Sequence, residues 1–196
     1  IEDSALNAFA TGRDPEHSSV TVTTGLMERL NKLELEGVIA HEISHIKNYD
    51  IRVMMLAAVM VGMTVLLSDF LLRSFLWGGR GRRKDGGNAT WIFIIVGLVL
   101  AILAPLVGEA IKLAISRKRE YLADASGALL TRYPKGLADA LKKISKDPDP
   151  LVDHANKATA HLFISTPFRK SKKSFLKNIF STHPPINERI SRLEKM

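Results

Sequence analysis

Two histidines and a glutamate in the sequence His41-Glu42-Ile43-Ser44-His45 have the spacing of a metal-dependent hydrolytic site. On a helix, residues four apart lie on one face, so both imidazoles can bind a single metal ion. Glu42 lies beside them, where its carboxylate can act as the base for a metal-activated water. The motif therefore predicts a zinc site with Glu42 as the catalytic base. The alternative is a pair of histidines that are only solvated or hydrogen-bonded.

A third protein ligand is expected, because a catalytic zinc ion usually takes three and keeps one position open. Glu120 is the best candidate, and Asp124 follows it four residues later on the same predicted helix face. Asp124 can then accept a hydrogen bond from one of the ligand imidazoles. The alternative is that Glu120 is a surface carboxylate paired with its basic neighbours, which are Arg117, Lys118 and Arg119.

Two hydrophobic stretches, 53–77 and 89–111, separate the histidine motif from Glu120 and predict membrane helices. Residues 89–108 carry no charge, which is the length that a helix needs to cross a bilayer. The basic loop between them, 78–88, favours the cytoplasm by the positive-inside rule. The sequence around the predicted metal site is also basic, so charge does not decide the orientation. The two stretches could also dip into the bilayer without spanning it.

Composition narrows the partners of this 196-residue chain. It has no cysteine, which excludes disulfides and thiolate metal sites. Its net charge of +8 suits nucleic acid or anionic lipid. The hydrophobic stretches and the absence of a nucleic-acid-binding motif favour a lipid bilayer and no nucleic acid. The basic, irregular segment 166–183 could lie on anionic lipid or form a solvated loop.

The remaining pattern predicts helices around a small β-hairpin. β-Branched residues predict strands over 7–11 and 18–24, with turn residues between them. Shorter helices are expected over 26–33, 134–145 and 152–164 and after Pro185.

The helix that carries the histidine motif is predicted to be long. It begins near Leu35, and neither proline nor glycine occurs between Val38 and Val61. We therefore expect it to run without a break into the hydrophobic stretch 53–77.

Several stretches, taken in order, resemble the HtpX-type membrane metallopeptidases, which are relatives of the CaaX prenyl proteases. Two of them are the histidine motif and the segment from Arg119 to Asp124. The others are Asn-Ala-Phe-Ala-Thr-Gly at 7–12, the strand Val20 to Thr24, and His183-Pro184-Pro185 with Arg189.

This resemblance implies a fold that is mainly α with a small β-hairpin. A zincin-like (gluzincin) metallopeptidase domain over residues 1–196 would be interrupted by a hydrophobic helical hairpin. It also implies one zinc ion per chain and hydrolysis of peptide bonds in misfolded or damaged membrane proteins, as part of stress-related quality control. The expected location is the cell inner membrane, with the active site facing the cytoplasm. The family usually carries two further hydrophobic segments upstream.

The same resemblance implies a substrate-binding strand. Asn7 and the strand residues Val20, Thr21, Val22 and Thr23 would hold the substrate backbone, because an extended peptide can add to an exposed strand. The alternative is an ordinary hairpin that only covers a helix.

His183 and Arg189 are also given roles by the resemblance. They would stabilise the oxyanion or hold the substrate. His183 could instead occupy the open zinc position in a resting state, or be an ordinary residue at a helix start.

Two other functions stay open at this point. One is a CaaX-type processing peptidase, although two hydrophobic helices are few for a large multi-span chamber. The other is a non-enzymatic membrane protein with an inert zinc site, although such a site does not need the base Glu42. The sequence leaves the oligomeric state open.

Overall fold

The computed structural model describes residues 1–78, 88–147 and 183–196, and in 75–78 and 88–94 it describes only the helical backbone. The predicted basic loop 78–88 and the basic segment 166–183 therefore lie outside the described residues, except at their ends. The helix predicted over 152–164 lies wholly outside them.

The described residues are mainly α-helical with one small sheet, which confirms the predicted fold class. The elements are β1 (Ala8–Asp14), β2 (His17–Val22), α1 (Thr24–Arg29), α2 (Lys32–Lys47), α3 (Asp50–Gly78), α4 (Asn88–Thr131), α5 (Pro134–Lys146) and α6 (Ile186–Leu193). They divide into two compact units, one formed by Ile1–Val53 with Ser116–Met196 and the other by Met54–Ile115.

In the first unit, the strands form an antiparallel hairpin that packs on α2, mainly through β1. Ala8 pairs with Val22, and the register shifts between Gly12 and Asp14 near the turn. Gly12 has a φ of 134°, and a Cβ there would lie 2.3 Å from the carbonyl oxygen of His17. Only glycine fits this position, because other residues rarely adopt such a φ and have no room here.

The core of this unit lies between α2, α5, α1, α6 and the hairpin. Leu26, Val38, Leu141 and Leu193 are almost fully buried in it. Gly37 lets α2 approach α5 closely, because a Cβ at this position would lie 2.6 Å from the backbone nitrogen of Leu137. The helix with the histidines is therefore fixed by backbone-to-backbone packing on one side and by β1 on another.

A capping box starts α2 at Lys32, three residues before the predicted start. The Asn31 side chain accepts a hydrogen bond from the Glu34 N–H, and the Glu34 carboxylate accepts one from the Asn31 N–H. This reciprocal pair satisfies two backbone donors that the first helical turn leaves free.

The prediction of one unbroken helix into the hydrophobic stretch is wrong. The helix ends at Lys47, and Tyr49 adopts a left-handed φ of 56° before α3 begins at Asp50. The ending is stabilised by long-range contacts, since Arg119 donates to the Asn48 carbonyl and to the Asp50 carboxylate. These contacts override the local helix preference that the sequence pattern expresses.

The second unit consists of the apolar parts of α3 and α4. Asp50–Ser74 and Ile95–Thr131 have mean hydropathies of 2.1 and 2.2, and both are long and apolar enough to cross a membrane. Only 6% of the residues in the most apolar window of each are buried, so these helices are not the core of a globular unit. The span limits 53–77 and 89–111 stay predictions.

Candidate metal centre

The two histidines of α2 direct their rings to one point. Their Nε2 atoms are 3.1 Å apart, and the rings meet edge to face with centroids 4.6 Å apart. Two nitrogens bound to one tetrahedral zinc ion at 2.0–2.1 Å lie roughly 3.3 Å apart. The helix therefore places His41 and His45 close to the spacing of two ligands of one ion.

Glu120 reaches the same point from α4. Its Oε1 lies 3.5 Å from Nε2 of His45, and its Oε2 lies 3.8 Å from Nε2 of His41. One ligand atom from each of the three residues lies within 4.8 Å of the others. Glu120 is only 6% exposed, which excludes the alternative of a surface carboxylate.

These donors fit a zinc ion. Two imidazoles and one carboxylate are a ligand set of catalytic zinc sites with an open position. Glu120 Oε2 is buried and accepts no hydrogen bond from the described residues, although Nη1 of Arg189 lies 3.0 Å away as an ion-pair partner. Buried carboxylate oxygens are normally satisfied, and a bound cation would satisfy this one.

Each histidine has a buried carboxylate behind it. Oδ1 of Asp124 lies 3.0 Å from Nδ1 of His41, and Oδ2 of Asp50 lies 2.7 Å from Nδ1 of His45. When Nδ1 carries the proton, Nε2 presents its lone pair. Both Nε2 lone pairs then face each other, an arrangement that a shared cation stabilises. Asp124 thus lies beside His41, although Nδ1 of His41 makes no hydrogen bond to a described residue, and its predicted role stays a prediction. Asp50 was not predicted.

Arg189 lies inside the site, with 1% of its surface exposed. Its guanidinium binds Asp124 through two hydrogen bonds of 2.7 and 2.9 Å, and Nη2 lies 3.2 Å from Nε2 of His41. Burial lowers the pKa of Arg189, but the charges of Glu120 and Asp124 more than reverse this effect and raise the pKa above its usual value. The group is therefore a permanent cation that orients two carboxylates. Its predicted role toward substrate stays a prediction.

Glu42 is buried beside the histidines, with 2% of its surface exposed. Burial raises the pKa of its carboxyl above the usual value, and the positive charges of His41 and His45 partly offset this rise. A carboxyl with a raised pKa holds a proton more readily, which suits a group that must accept one and release it again.

His183 also belongs to this cluster. Its Nδ1 lies 3.2 Å from Oε1 of Glu120, and 15% of its side chain is exposed. Both ring nitrogens are buried without a hydrogen-bond partner among the described residues. The imidazole is therefore near the metal ligands with unsatisfied nitrogens, as both of its predicted roles require.

Some groups of the predicted substrate-binding strand already have partners within the chain. The Thr23 N–H donates to the Asn7 carbonyl, and the Thr23 hydroxyl caps α1 and bonds inside the chain. On the outer side of β2, the Val22 carbonyl accepts from the nitrogen of Ile1. The Thr23 side chain and this part of the β2 edge are thus already used. Roles for Asn7, Val20, Thr21 and Val22 stay predictions.

The opposite edge of the hairpin belongs to β1. In an antiparallel pair the residues between hydrogen-bonded pairs direct their N–H and C=O groups outward. Since Asn7 pairs with Thr23 through such a bond, Ala8 and Ala10 direct theirs away from β2. A small cavity near this strand is lined by Gly12 together with His45. The Gly12 end of β1 therefore lies close to His45.

Sequence comparison assigns this arrangement to a family. The profile of Peptidase family M48 matches residues 1–196, which is the entire chain. This chain belongs to peptidase family M48.

The M48 chain has many relatives among curated proteins. It is 56% identical over 196 residues to "Protease HtpX homolog" of Dictyoglomus thermophilum and 53% identical over 198 residues to the protein of that name in Thermoanaerobacter pseudethanolicus. Both alignments cover 100% of this chain but only 62% and 64% of the relatives. The chain thus spans somewhat less than two thirds of their length.

A solved structure shares the M48 fold. The crystal structure of S. mikatae Ste24p is similar with a TM-score of 0.57 and 23% sequence identity, over 97% of this chain and 43% of that one. The similarity supports the gluzincin-like fold that the sequence resemblance implied.

Two residues of the M48 site escaped the sequence analysis. Asp50 follows His45 by five residues, a spacing that does not place two residues on one face of a continuous helix. Arg119, which binds Asp50, was considered only as a basic neighbour of Glu120 and as part of the resembling segment, with no role of its own. Recognising either required knowledge of the helix break at Tyr49.

Proposed function

We propose that this chain is the catalytic part of a membrane-bound zinc endopeptidase that hydrolyses misfolded or damaged membrane proteins. The observation that carries the proposal is the convergence of His41, His45 and Glu120 within 4.8 Å beside the buried Glu42. One zinc ion per chain would be held by these three side chains. When bound, zinc supplies Lewis-acid chemistry that acidifies water and polarises a carbonyl group.

Glu42 acts as the general base in this proposal. Its carboxylate takes a proton from the water that attacks the scissile carbonyl carbon, and later gives the proton to the leaving amine nitrogen. Asp124 and Arg189 keep His41 and Glu120 in place through the contacts described above. His183, with unsatisfied ring nitrogens next to Glu120, is available to stabilise the oxyanion.

The substrate is inferred to bind in an extended form. An added strand along the hairpin would use outward backbone groups such as those of Ala10, whereas the outward N–H of Ala8 already donates to the Asn7 side chain. Such contacts use only the peptide backbone, so they select unfolded segments and not a particular sequence. The proposed place of the substrate strand is therefore an edge of the hairpin beside Asn7, with β1 or the β2 residues Val20, Thr21 and Val22 as its partner.

The proposed location is the cell inner membrane, with the metal site on the cytoplasmic side. Support comes from the two apolar helices, Asp50–Ser74 and Ile95–Thr131, and from the resemblance to HtpX-type peptidases. The orientation is testable with a cysteine placed at Gly86, because the chain has no other cysteine. Labelling of that cysteine only from the cytoplasmic face would contradict the proposed topology if α3 and α4 both span.

The decisive experiment compares the zinc-loaded chain in detergent with Glu42→Gln, using an unfolded protein as substrate. We expect one zinc per chain in both proteins and cleavage only by the first. A metal-free preparation that cleaves equally well would exclude the zinc mechanism, and cleavage by Glu42→Gln at the original rate would exclude Glu42 as the base. Zinc binding without cleavage in either protein would favour an inert site closed by His183.

A further inference from the structure

The short connection between α2 and α3 brings an unexpected carboxylate to the metal centre. On a continuous helix, the residue five positions after His45 would lie about 140° around the axis from it. The left-handed backbone at Tyr49 ends α2 and lets Asp50 turn back toward His45. The structure thus departs from regular helix at a point where the departure creates a contact to a metal ligand.

The two oxygens of Asp50 serve different partners. Oδ2 lies 2.7 Å from Nδ1 of His45, and Oδ1 accepts a hydrogen bond from Arg119. Arg119 also donates to the carbonyl oxygen of Asn48, which lies at the end of α2. Asp50 is 4% exposed, so its charge is stabilised by these two partners and not by bulk water.

We propose that Asp50 is a positioning residue for the metal ligand His45, and that Arg119 holds Asp50 in place. The carboxylate accepts the Nδ1 proton, which fixes the tautomer and the ring orientation and leaves Nε2 free to bind zinc. This inference rests on the proposed function, because the ligand role of His45 belongs to it.

The geometry argues against a purely structural ion pair between Asp50 and Arg119. Such a pair would need neither the contact to Nδ1 nor a backbone turn at Tyr49. The arrangement also parallels the other ligand, since Asp124 faces Nδ1 of His41 and is itself held by Arg189. Each histidine is thus backed by an aspartate, and each aspartate by an arginine.

Zinc affinity gives the first test, measured by competition with a chromophoric chelator on the full chain in detergent. Asp50→Ala should bind zinc about 10- to 100-fold more weakly than the original chain. Asp50→Asn should lose less zinc affinity than Asp50→Ala, because its amide oxygen can still accept a hydrogen bond from the Nδ1 proton of His45. The matched control is Asp139→Asn, which removes another ion-paired carboxylate, on α5, and should leave the affinity unchanged.

The second test needs no metal. In the metal-free chain labelled with ¹⁵N-histidine, at alkaline pH, His45 should carry its proton on Nδ1, and Asp50→Ala should shift the proton toward Nε2. This readout distinguishes positioning from general destabilisation, because loss of stability alone does not change a tautomer in the folded protein.

The outcomes separate this inference from the proposed function. Equal zinc affinity in Asp50→Ala and the original chain, or a His45 proton on Nε2 in the original chain, would overturn the role of Asp50. An original chain that binds no zinc would overturn the metal centre, while the tautomer would still decide whether Asp50 orients His45. If Asp50→Ala does not fold, the His45 tautomer of the original chain decides alone: a proton on Nδ1 supports the role of Asp50 and a proton on Nε2 overturns it.

Discussion

The close approach of α4 to α2 at Gly127 offers a direct test of how the ligands are brought together. Gly127 follows Asp124 by three residues and Glu120 by seven, so the three lie along one face of α4. A Cβ at Gly127 would lie 3.1 Å from the backbone nitrogen of His41 and 3.2 Å from its Cα. Substitution of Gly127 should therefore push Glu120 away from the histidines.

The size of the effect depends on the side chain introduced. For Gly127→Ala, the helix gains about 0.5–1 kcal/mol in backbone preference, while α2 must move by a few tenths of an ångström. These effects nearly cancel. Gly127→Val adds two methyl groups against backbone atoms that have no rotamer to change, and overpacking of this kind costs about 1–3 kcal/mol. A metal site tolerates ligand displacements of only about 0.5 Å, so zinc affinity should fall as well.

Thermal unfolding of the metal-free chain and chelator competition for zinc would measure both effects. We expect stability and zinc affinity to fall from the original chain to Gly127→Val, with Gly127→Ala close to the original. Gly62→Val is the control, because among the described residues no atom outside the adjoining stretch of its own helix lies within 4 Å of a Cβ at Gly62. A Gly127→Val protein that unfolds at the original temperature and binds zinc equally well would refute the close approach of α4 to His41.

Three further substitutions test the surroundings of the site. Gly37→Ala should destabilise the chain despite the better helix preference of alanine, since its Cβ would lie 2.6 Å from the backbone nitrogen of Leu137. A raised unfolding temperature would contradict this. Leu141→Ala removes a fully buried side chain and should lower the free energy of unfolding by about 2–5 kcal/mol, measured by denaturant titration. Arg189→Met should lower the free energy of unfolding of the metal-free chain by about 3–5 kcal/mol in the same titration, because Asp124 loses its buried partner. An unchanged midpoint of the titration would show that Arg189 is not paired.

The parts of the site that follow helical periodicity could be predicted from the sequence. The spacing of His41 and His45 is one helical turn, and so is that of Glu120 and Asp124. Each pair lies on a long helix whose local pattern and tertiary environment agree. The joint position of the two pairs did not follow from spacing, yet the zinc chemistry of the first pair required a third ligand and so indicated Glu120.

The parts that depend on a break in periodicity could not be predicted. The residues from Val38 to Val61 include neither proline nor glycine, and the cap-forming residues Asn48 and Asp50 are only weak signals of a helix end. The break exists because Asp50 and the carbonyl of Asn48 find a partner in Arg119, which is distant in sequence. The hairpin shows the same limit, since the pattern located both strands but could not tell that Gly12 lies close to His45.

The charges around the centre favour the binding of a divalent cation. Glu42, Glu120, Asp124 and Asp50 are four carboxylates, each at most 6% exposed, around the imidazoles of His41 and His45, which are uncharged when they bind a metal ion. Arg189 and Arg119 supply the two guanidinium groups that contact them. With all six groups ionised, two negative charges remain uncompensated in a buried space, and a zinc ion would cancel them. Because uncompensated buried charge is costly, zinc binding and folding should stabilise each other, so removal of zinc should lower the unfolding temperature. If the chain binds zinc but its unfolding temperature does not depend on zinc, the metal-free site must neutralise its own charge. Protonation of Glu42 is the nearest way to do so, because burial raises the pKa of this carboxyl.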